Sequence, residues 1–375
     1  MKLFHTSDWH LGRMLYGRSL LPDQSWFFQE VFLPAVEREK PACVLLAGDI
    51  YDRQIAPPEA ILLFDSFLSL LVDLSCKVCV ISGNHDGADR ITLLKTALRG
   101  SGVYFSTTLS DAFSPVLLEE NGEKVQLFLL PYFNSAQGRE FLGDDSLRGE
   151  AACMKLLIEQ MLPLFEPGAA HILVSHCFAA GAIPSDSESS LFVGGAGEIP
   201  PELFSPFDYV ALGHLHGPQR AGEKGRYSGS PLKYSVDEEH QKKGFCRLEW
   251  DGASLAVEEV PITPLRDVRR ISGLFQELLE QGKRQPCEDY VELVLEDKSP
   301  VFLARDKLRP YYPNLLSLSN PWAISGAAGE RAARLKGQDD RTIFSSFLQD
   351  VCGTPAEPEE LQLLQELLEE MESGR

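Results

Sequence analysis

Five of the eight histidines stand where an apolar run stops. The runs Lys2–Thr6, Cys43–Ala47, Val78–Ser82, Ile172–Ser175 and Tyr209–Gly213 end, in turn, at Ser7-Asp8-Trp9-His10, Gly48-Asp49, Gly83-Asn84-His85-Asp86, His176 and His214-Leu215-His216. Short runs without polar alternation read as strands buried on both faces, which requires helices over the sheet. Between the first three strands, Trp26–Glu39 and Pro58–Leu74 carry apolar residues at helical spacing, and the former stops before Pro41. A further strand is expected at Val125–Leu130. Strands alternating with helices predict an α/β domain, and in such sheets the groups that do chemistry collect beyond the strand ends.

Asp8-x-His10 and His214-x-His216 are i, i+2 pairs, which an extended segment turns to one side. Asp49, Asn84 and His176 stand singly. Carboxylate, amide and imidazole without thiolate form a donor set for Mn²⁺, Fe²⁺ or Zn²⁺ rather than for a structural zinc finger. Seven ligands exceed what one ion takes. They suit two ions sharing a carboxylate, the apparatus of in-line displacement at phosphorus. Taken one at a time the pieces are ordinary: a turn, a cap, a buried strand-end histidine. Five of them in this order, each closing an apolar run, are not what packing alone provides.

Charge argues the other way at first. The 375 residues hold 35 Lys and Arg against 55 Asp and Glu, a net −20, where a DNA-binding domain ordinarily carries a basic balance. Location weakens the objection. Seven Glu and one Arg lie in residues 356–375, whereas residues 211–245 hold Arg220, Lys224, Arg226, Lys233, Lys242 and Lys243 against four acids. A polyanion would be met by a local patch and by metal ions. The eight scattered cysteines suit a reducing compartment, and Cys76-x-x-Cys79 reads as buried strand thiols rather than a redox pair. No apolar run approaches the ~18 residues that span a bilayer, and the N-terminus turns polar too soon for a signal peptide. A cytoplasmic protein without membrane contact is expected.

Phe178–Gly197, rich in Gly, Ala and Ser, reads as a long loop at the site. After Pro264 the pattern predicts a small α+β domain: helix at Leu274–Gln281, strand at Tyr290–Glu296, helix at Val301–Leu308, strand at Leu315–Ser319. Asn320–Gly337 reads as a linker. Two amphipathic helices close the chain, Arg341–Val351 and one with Thr354 as N-cap, Pro355 at its first position and Glu357 completing a capping box. The second carries the stripe Leu361, Leu364, Leu368 and Met371. No G-x-x-x-x-G-K-[ST] loop is present, so ATP hydrolysis by this chain is not expected.

The order D-x-H, G-D, G-N-H-D, H, G-H-x-H resembles the calcineurin-like metallophosphoesterases. Ser7–Gly12, Ala47-Gly48-Asp49-Ile50-Tyr51-Asp52, Gly83–Asp86, Ala211–His216 and Tyr227-Ser228-Gly229-Ser230-Pro231 resemble, more narrowly, the SbcD-type nuclease subunits of bacterial SbcCD complexes. The resemblance implies a four-layer sandwich, two mixed sheets flanked by helices, with a small capping domain. It divides the chain into a nuclease domain at 1–265, a capping domain at 266–335 and a helix-loop-helix at 336–375 that docks on the coiled coil of an SbcC-type ATPase. It also implies two Mn²⁺ per chain, with Mg²⁺, Fe²⁺ or Zn²⁺ as substitutes. Asp8, His10, Asp49 and His216 would hold one ion, and Asp49, Asn84, His176 and His214 the other. His85 would protonate the leaving 3′ oxygen, with Asp52 orienting it. Ser228, Gly229 and Ser230 would position a DNA phosphate. The implied activity is 3′–5′ double-strand exonuclease and single-strand endonuclease in DNA end and hairpin processing, by a homodimer contacting through helices early in the nuclease domain; the apolar faces around Trp26–Phe32 and Ile61–Leu71 suit such a contact and suit core burial equally well. A phosphatase or cyclic-nucleotide phosphodiesterase on the same metal core is the alternative. The extra domain and apolar closing helices favour the nuclease.

Overall fold

The computed structural model describes residues 1–92, 95–188, 197–321, 340–352 and 356–373. The chain divides into two compact units, Met1–Arg270 with Asp289–Val291, and Ile271–Glu288 with Glu292–Arg375.

The first unit is built on two six-stranded sheets. Strands β1 (Lys2–Thr6), β2 (Cys43–Ala47), β3 (Lys77–Ile81) and β4 (Val103–Ser106) run parallel in one sheet. The chain then builds the second sheet from β5 (Val116–Glu120), β6 (Glu123–Leu130), β7 (Ala170–His176), β8 (Tyr209–Gly213), β9 (Gln219–Ala221) and β10 (Gly225–Tyr227). It returns to the first sheet with β11 (Gly244–Trp250) and β12 (Leu255–Pro261). The spatial orders are β12-β11-β1-β2-β3-β4 and β9-β10-β8-β7-β6-β5. β11 pairs antiparallel to β1, and β5 antiparallel to β6, so both sheets are mixed.

Side-chain alternation sets the layers. Cys43, Leu45 and Ala47 of β2 join Val125, Leu127 and Leu129 of β6 and Ile172 and Val174 of β7 in the core between the sheets. Val44 and Leu46 face the other way, onto Phe28, Phe32, Phe64 and Phe67 of the covering helices. Phe128 and Leu130 pack under Met154, Leu157 and Met161 of the helix Gly149–Met161. The result is the expected helix–sheet–sheet–helix sandwich. The helix expected from Trp26 begins earlier, at Leu21, and passes through a π-helical turn, Phe27–Phe32, into Leu33–Glu39. Pro34 accounts for the turn: it has no amide hydrogen for the i−4 carbonyl, and Leu33 N–H donates instead to Phe28, five residues back. Phe27, Phe28 and Phe32 are buried, whereas Ile61, Leu62 and Leu70 of the helix Pro58–Asp73 are exposed.

Later in the chain come the strands β13 (Val268–Gly273), β14 (Tyr290–Leu295) and β15 (Leu315–Ser319), forming one sheet, and the helices Phe275–Arg284 and Ala304–Leu308. The helix expected at Val301 starts only at Ala304, because Leu303 takes a left-handed conformation (φ 53°). The closing helices are Asp340–Cys352 and Pro358–Ser373, packed on each other. Thr354 and Pro355 lie outside the described residues, as does most of Asn320–Gly337. Glu357 is not in the first turn as expected, since the residue before a proline is pushed out of the helical region, and the helix starts at Pro358. Glu357 N–H donates to the Glu360 carboxylate instead, at 2.9 Å. No described helix is long and apolar enough to cross a membrane. Cys76 and Cys79 are buried free thiols, as expected.

Candidate metal centre

All seven candidate ligands come together at one end of the sandwich, and both sheets contribute. Asp8 and His10 follow β1, Asp49 follows β2 and Asn84 follows β3, while His176 ends β7 and His214 and His216 follow β8. Two groups form around Asp49. On one side His10 Nε2 and His216 Nε2 lie 3.0 Å apart. On the other, Asn84 Oδ1 is 2.9 Å from His176 Nε2 and 3.0 Å from His214 Nδ1, and the two imidazole nitrogens are 3.3 Å apart. Asp49 Oδ2 sits between the groups, 3.5 Å from His10 Nε2 and 3.4 Å from His176 Nε2.

The second group fits a cation. His176 Nδ1–H donates to the Ala47 carbonyl at 2.8 Å, so in the neutral ring Nε2 carries a lone pair. That lone pair faces the Asn84 carbonyl oxygen, another acceptor. Two acceptors facing each other need a positive charge between them, a proton or a metal cation, and where no metal competes the proton takes the place. Burial opposes charge on His176, yet the Asp49 carboxylate outweighs it and pushes the imidazole up to about 9. Burial, then the charge of His176, takes His214 down to about 3. Despite burial, Asp49 is held well below the usual carboxylate range by His176, His10 and His85. Among the described residues, Asp8, His10 and His216 could hold an ion together, as could Asp8, Asp49 and His176.

The backbone is strained to achieve this. Asp8, His10, Asp49 and His214 have φ of 53°, 43°, 51° and 106°, a region that L residues seldom adopt. Close approach also fixes two glycines. A Cβ at Gly213 would lie 1.9 Å from the Ala47 carbonyl oxygen, and one at Gly83 would lie 2.1 Å from Asp49 Oδ1.

His85 stands beside the ligands, its ring 4.8 Å from that of His10 and nearly perpendicular to it. Its backbone N–H donates to Asp49 Oδ1 at 2.9 Å and its Nδ1 to the main-chain carbonyl of Asp52 at 3.0 Å. Asp52, which the resemblance makes the partner that orients His85, thus meets it through its main-chain carbonyl. The Asp52 carboxylate accepts from Arg13 Nη1 at 2.8 Å and lies 3.8 Å from His10 Nδ1. Asp86 accepts from the N–H groups of Ile50, Tyr51 and Gly83, tying the loop after β2 to the loop after β3.

Ser228, Gly229 and Ser230, expected at a phosphate, lie inside the protein. Ser228 and Ser230 are 2% and 0% exposed. Ser228 Oγ is 2.9 Å from Ser7 Oγ, and Ser230 Oγ donates to the Leu232 carbonyl at 2.7 Å. Gly229 (φ 73°) brings the turn against the His216 carbonyl. These residues support the Asp8 and His216 loops and present no hydroxyl to solvent.

Sequence reading missed a second set. Gln24 Nε2 donates to the Trp9 and His10 carbonyls, each at 2.9 Å, from the helix Leu21–Trp26. Ser187, Glu188, Glu238 and Lys243 surround His216. A buried Glu-Lys pair in a loop has no sequence pattern. The one available signal was polar residues in the long Phe178–Gly197 loop, of which 189–196 lie outside the described residues.

Residues 1–218 match the calcineurin-like phosphoesterase family, and residues 264–351 match the type 5 capsule protein repressor C-terminal domain. The D subunit of the nuclease SbcCD of Staphylococcus epidermidis (strain ATCC 12228 / FDA PCI 1200) is 32% identical over 355 residues, 94% of this chain and 93% of its own. The crystal structure of TT1561 of Thermus thermophilus covers 69% of this chain and 98% of its own, at 10% identity and a TM-score of 0.39, too distant to bear on function. Together with the strand-end ligands of both sheets, these matches establish that the chain belongs to the calcineurin-like phosphoesterases and, among them, to the SbcD nuclease-subunit family.

Proposed function

We propose that this chain is the nuclease subunit of an SbcCD-type complex and hydrolyses DNA phosphodiesters with two Mn²⁺. The observation that carries the reading is Asp49 Oδ2, set 3.4–3.5 Å from a nitrogen of each ligand group, where one carboxylate can serve two ions. Asp8, His10, Asp49 and His216 hold one ion, and Asp49, Asn84, His176 and His214 the other. The donors are oxygen and nitrogen without sulfur, which suits Mn²⁺ and leaves Mg²⁺, Fe²⁺ or Zn²⁺ as substitutes. When bound, the two ions supply the Lewis acidity that in-line displacement at phosphorus needs.

The chain's own residues do the rest. His85 Nδ1–H is committed to the Asp52 carbonyl, so the ring acts as an imidazolium whose Nε2–H passes to the leaving 3′ oxygen, which leaves the neutral Nδ1–H imidazole. Its backbone bond to Asp49 fixes the ring's place relative to the shared carboxylate. Arg13 neutralises the Asp52 carboxylate beside this ring. Ser228, Gly229 and Ser230 act by holding the Asp8 and His216 loops toward the phosphate rather than by touching it.

The wider reading is a nuclease domain at 1–265, a capping domain at 266–335 and an ATPase-docking segment at 336–375. It includes 3′–5′ exonuclease and single-strand endonuclease action in the cytoplasm, with an SbcC-type ATPase. A second copy would dock on the exposed Ile61, Leu62 and Leu70. The test is Mn²⁺-dependent cleavage of DNA ends and of single-stranded DNA, compared with hydrolysis of p-nitrophenyl phosphate. DNA cleavage is expected, and preferential hydrolysis of the phosphomonoester refutes the reading.

A further inference from the structure

His216 is held from its outer side by a chain of buried groups. Its Nδ1 lies 2.7 Å from Ser187 Oγ, and Ser187 Oγ lies 2.7 Å from Glu238 Oε1. Lys243 Nζ, itself buried, meets Glu238 Oε2 at 2.5 Å. Glu238 also accepts from the Tyr234 N–H at 3.3 Å. A carboxylate facing an ammonium and two further donors is ionised and accepts only.

The proton positions then follow. Ser187 has one hydroxyl hydrogen, and Glu238 takes it. Ser187 Oγ can only accept from His216, so the imidazole carries its hydrogen on Nδ1. Nε2 is left with a lone pair, pointed at His10 Nε2. Glu188 fixes the other end of the same residue by accepting the His216 backbone N–H, while its second oxygen accepts the Ser185 N–H at 2.6 Å. Glu188 and Glu238 are 3% and 0% exposed, so neither faces substrate.

We propose that Ser187, Glu188 and Glu238 are positioning residues for His216, fixing the tautomer and ring orientation in which Nε2 binds a divalent cation. The proposal rests on His216 being a ligand, as read above. Metal-bound histidines are oriented by a partner on the far ring nitrogen, and loss of that partner ordinarily weakens metal affinity ~10–100-fold. Here the partner is a serine relaying a buried carboxylate. It belongs to Ser185–Glu188, the described stretch that precedes residue 189 in the long loop, so docking of that stretch and filling of one metal position are coupled.

Ser187 is the position to vary, because removing Glu238 would leave Lys243 buried without a counter-charge. Mn²⁺ is titrated into the metal-free full-length chain and its variants by calorimetry, with the metal-free melting temperature recorded alongside. Ser187→Ala is expected to weaken one of the two Mn²⁺ affinities ~10–100-fold, leaving the other and the melting temperature unchanged. Ser187→Thr, which keeps the hydroxyl, is expected to restore binding. Unaltered affinities in Ser187→Ala overturn the proposal, as does a matched loss of both affinities and of melting temperature. His216→Ala separates the two levels: loss of one ion upholds the ligand reading, and retention of both refutes that reading and the proposal with it.

Discussion

Gly83→Ala is a one-atom test of how closely the two ligand loops approach each other. The added Cβ would lie 2.1 Å from Asp49 Oδ1, 2.5 Å from Asp49 N and 2.8 Å from Asp49 Cγ, where ordinary contact begins near 3.4 Å. The Asp49 carboxylate must therefore retreat by about 1 Å, whereas metal–ligand distances tolerate ~0.2 Å. Because Asp49 Oδ2 stands between both groups, a shift of this size disturbs both at once. Overpacking costs ~1–3 kcal/mol of stability, and a displacement of ~1 Å at a reacting centre costs ~10²-fold in rate. We expect the variant to fold, to lose at least one Mn²⁺ equivalent on gel filtration and to cleave DNA ~10²-fold more slowly. Gly122→Ala is the control. It strains a left-handed residue (φ 84°) with nothing within 4 Å, so it should lower the melting temperature and leave metal content alone. A Gly83→Ala protein with two Mn²⁺ per chain and wild-type turnover would show that the approach of these loops is not what sets the centre.

His85→Ala should keep both ions, by elemental analysis, while turnover falls ~10²–10⁴-fold; metal loss would make His85 a ligand instead. Asp49→Ala should do the reverse and empty the site. Truncation at Gly337 should leave Mn²⁺-dependent cleavage of single-stranded DNA nearly intact and abolish co-purification with an SbcC-type ATPase, an outcome reversed if the closing helices are needed for folding. Burial raises the Glu150 carboxyl to about 7. The folded chain thus keeps a proton that the unfolded chain releases, and stability from this group is full below pH ~4.5 and lost as pH rises through 7. Melting temperature against pH should fall less across that window for Glu150→Gln than for the wild type, and parallel curves would refute the assignment.

Strands such as Cys43–Ala47, Ile172–Ser175 and Tyr209–Gly213 were legible because the run is nearly all apolar, and each of these three was followed by a candidate ligand. Val116–Glu120 and Leu255–Pro261 were not legible: they lie at sheet edges, each carries a pair of adjacent Glu residues, and they owe their structure to a partner strand. The helix Gly149–Met161 escaped notice although it covers the second sheet. Within the centre, residue types and order told which groups would meet. They could not tell that Asp52 meets His85 through its carbonyl, since a backbone atom is the same in every residue. Nor could they tell that Ser228 and Ser230 are enclosed, since a Gly-Ser turn reads alike at a surface and beneath one. Glu188 and Glu238 lie far apart in sequence from Asp8 and His10 and meet His216 only through the fold.

The pairing of β1 with β11 has a consequence for synthesis. Lys2 to His5 lie against Glu249 to Cys246, and this partner is the last neighbour that β1 acquires. At ~5–20 residues per second, the roughly 240 residues between the two strands take about 12–50 s to emerge. Throughout that interval β1, whose last residues lead into Asp8 and His10, has one row of backbone donors and acceptors open, while the second sheet is made in full. The strand that leads into the Asp8–His10 loop therefore gains its second neighbour only once β11 arrives. The same delay exposes a flat apolar edge to neighbouring nascent chains. Products ending before residue 244 never close that edge, and they should accumulate as aggregates rather than as weakly active fragments.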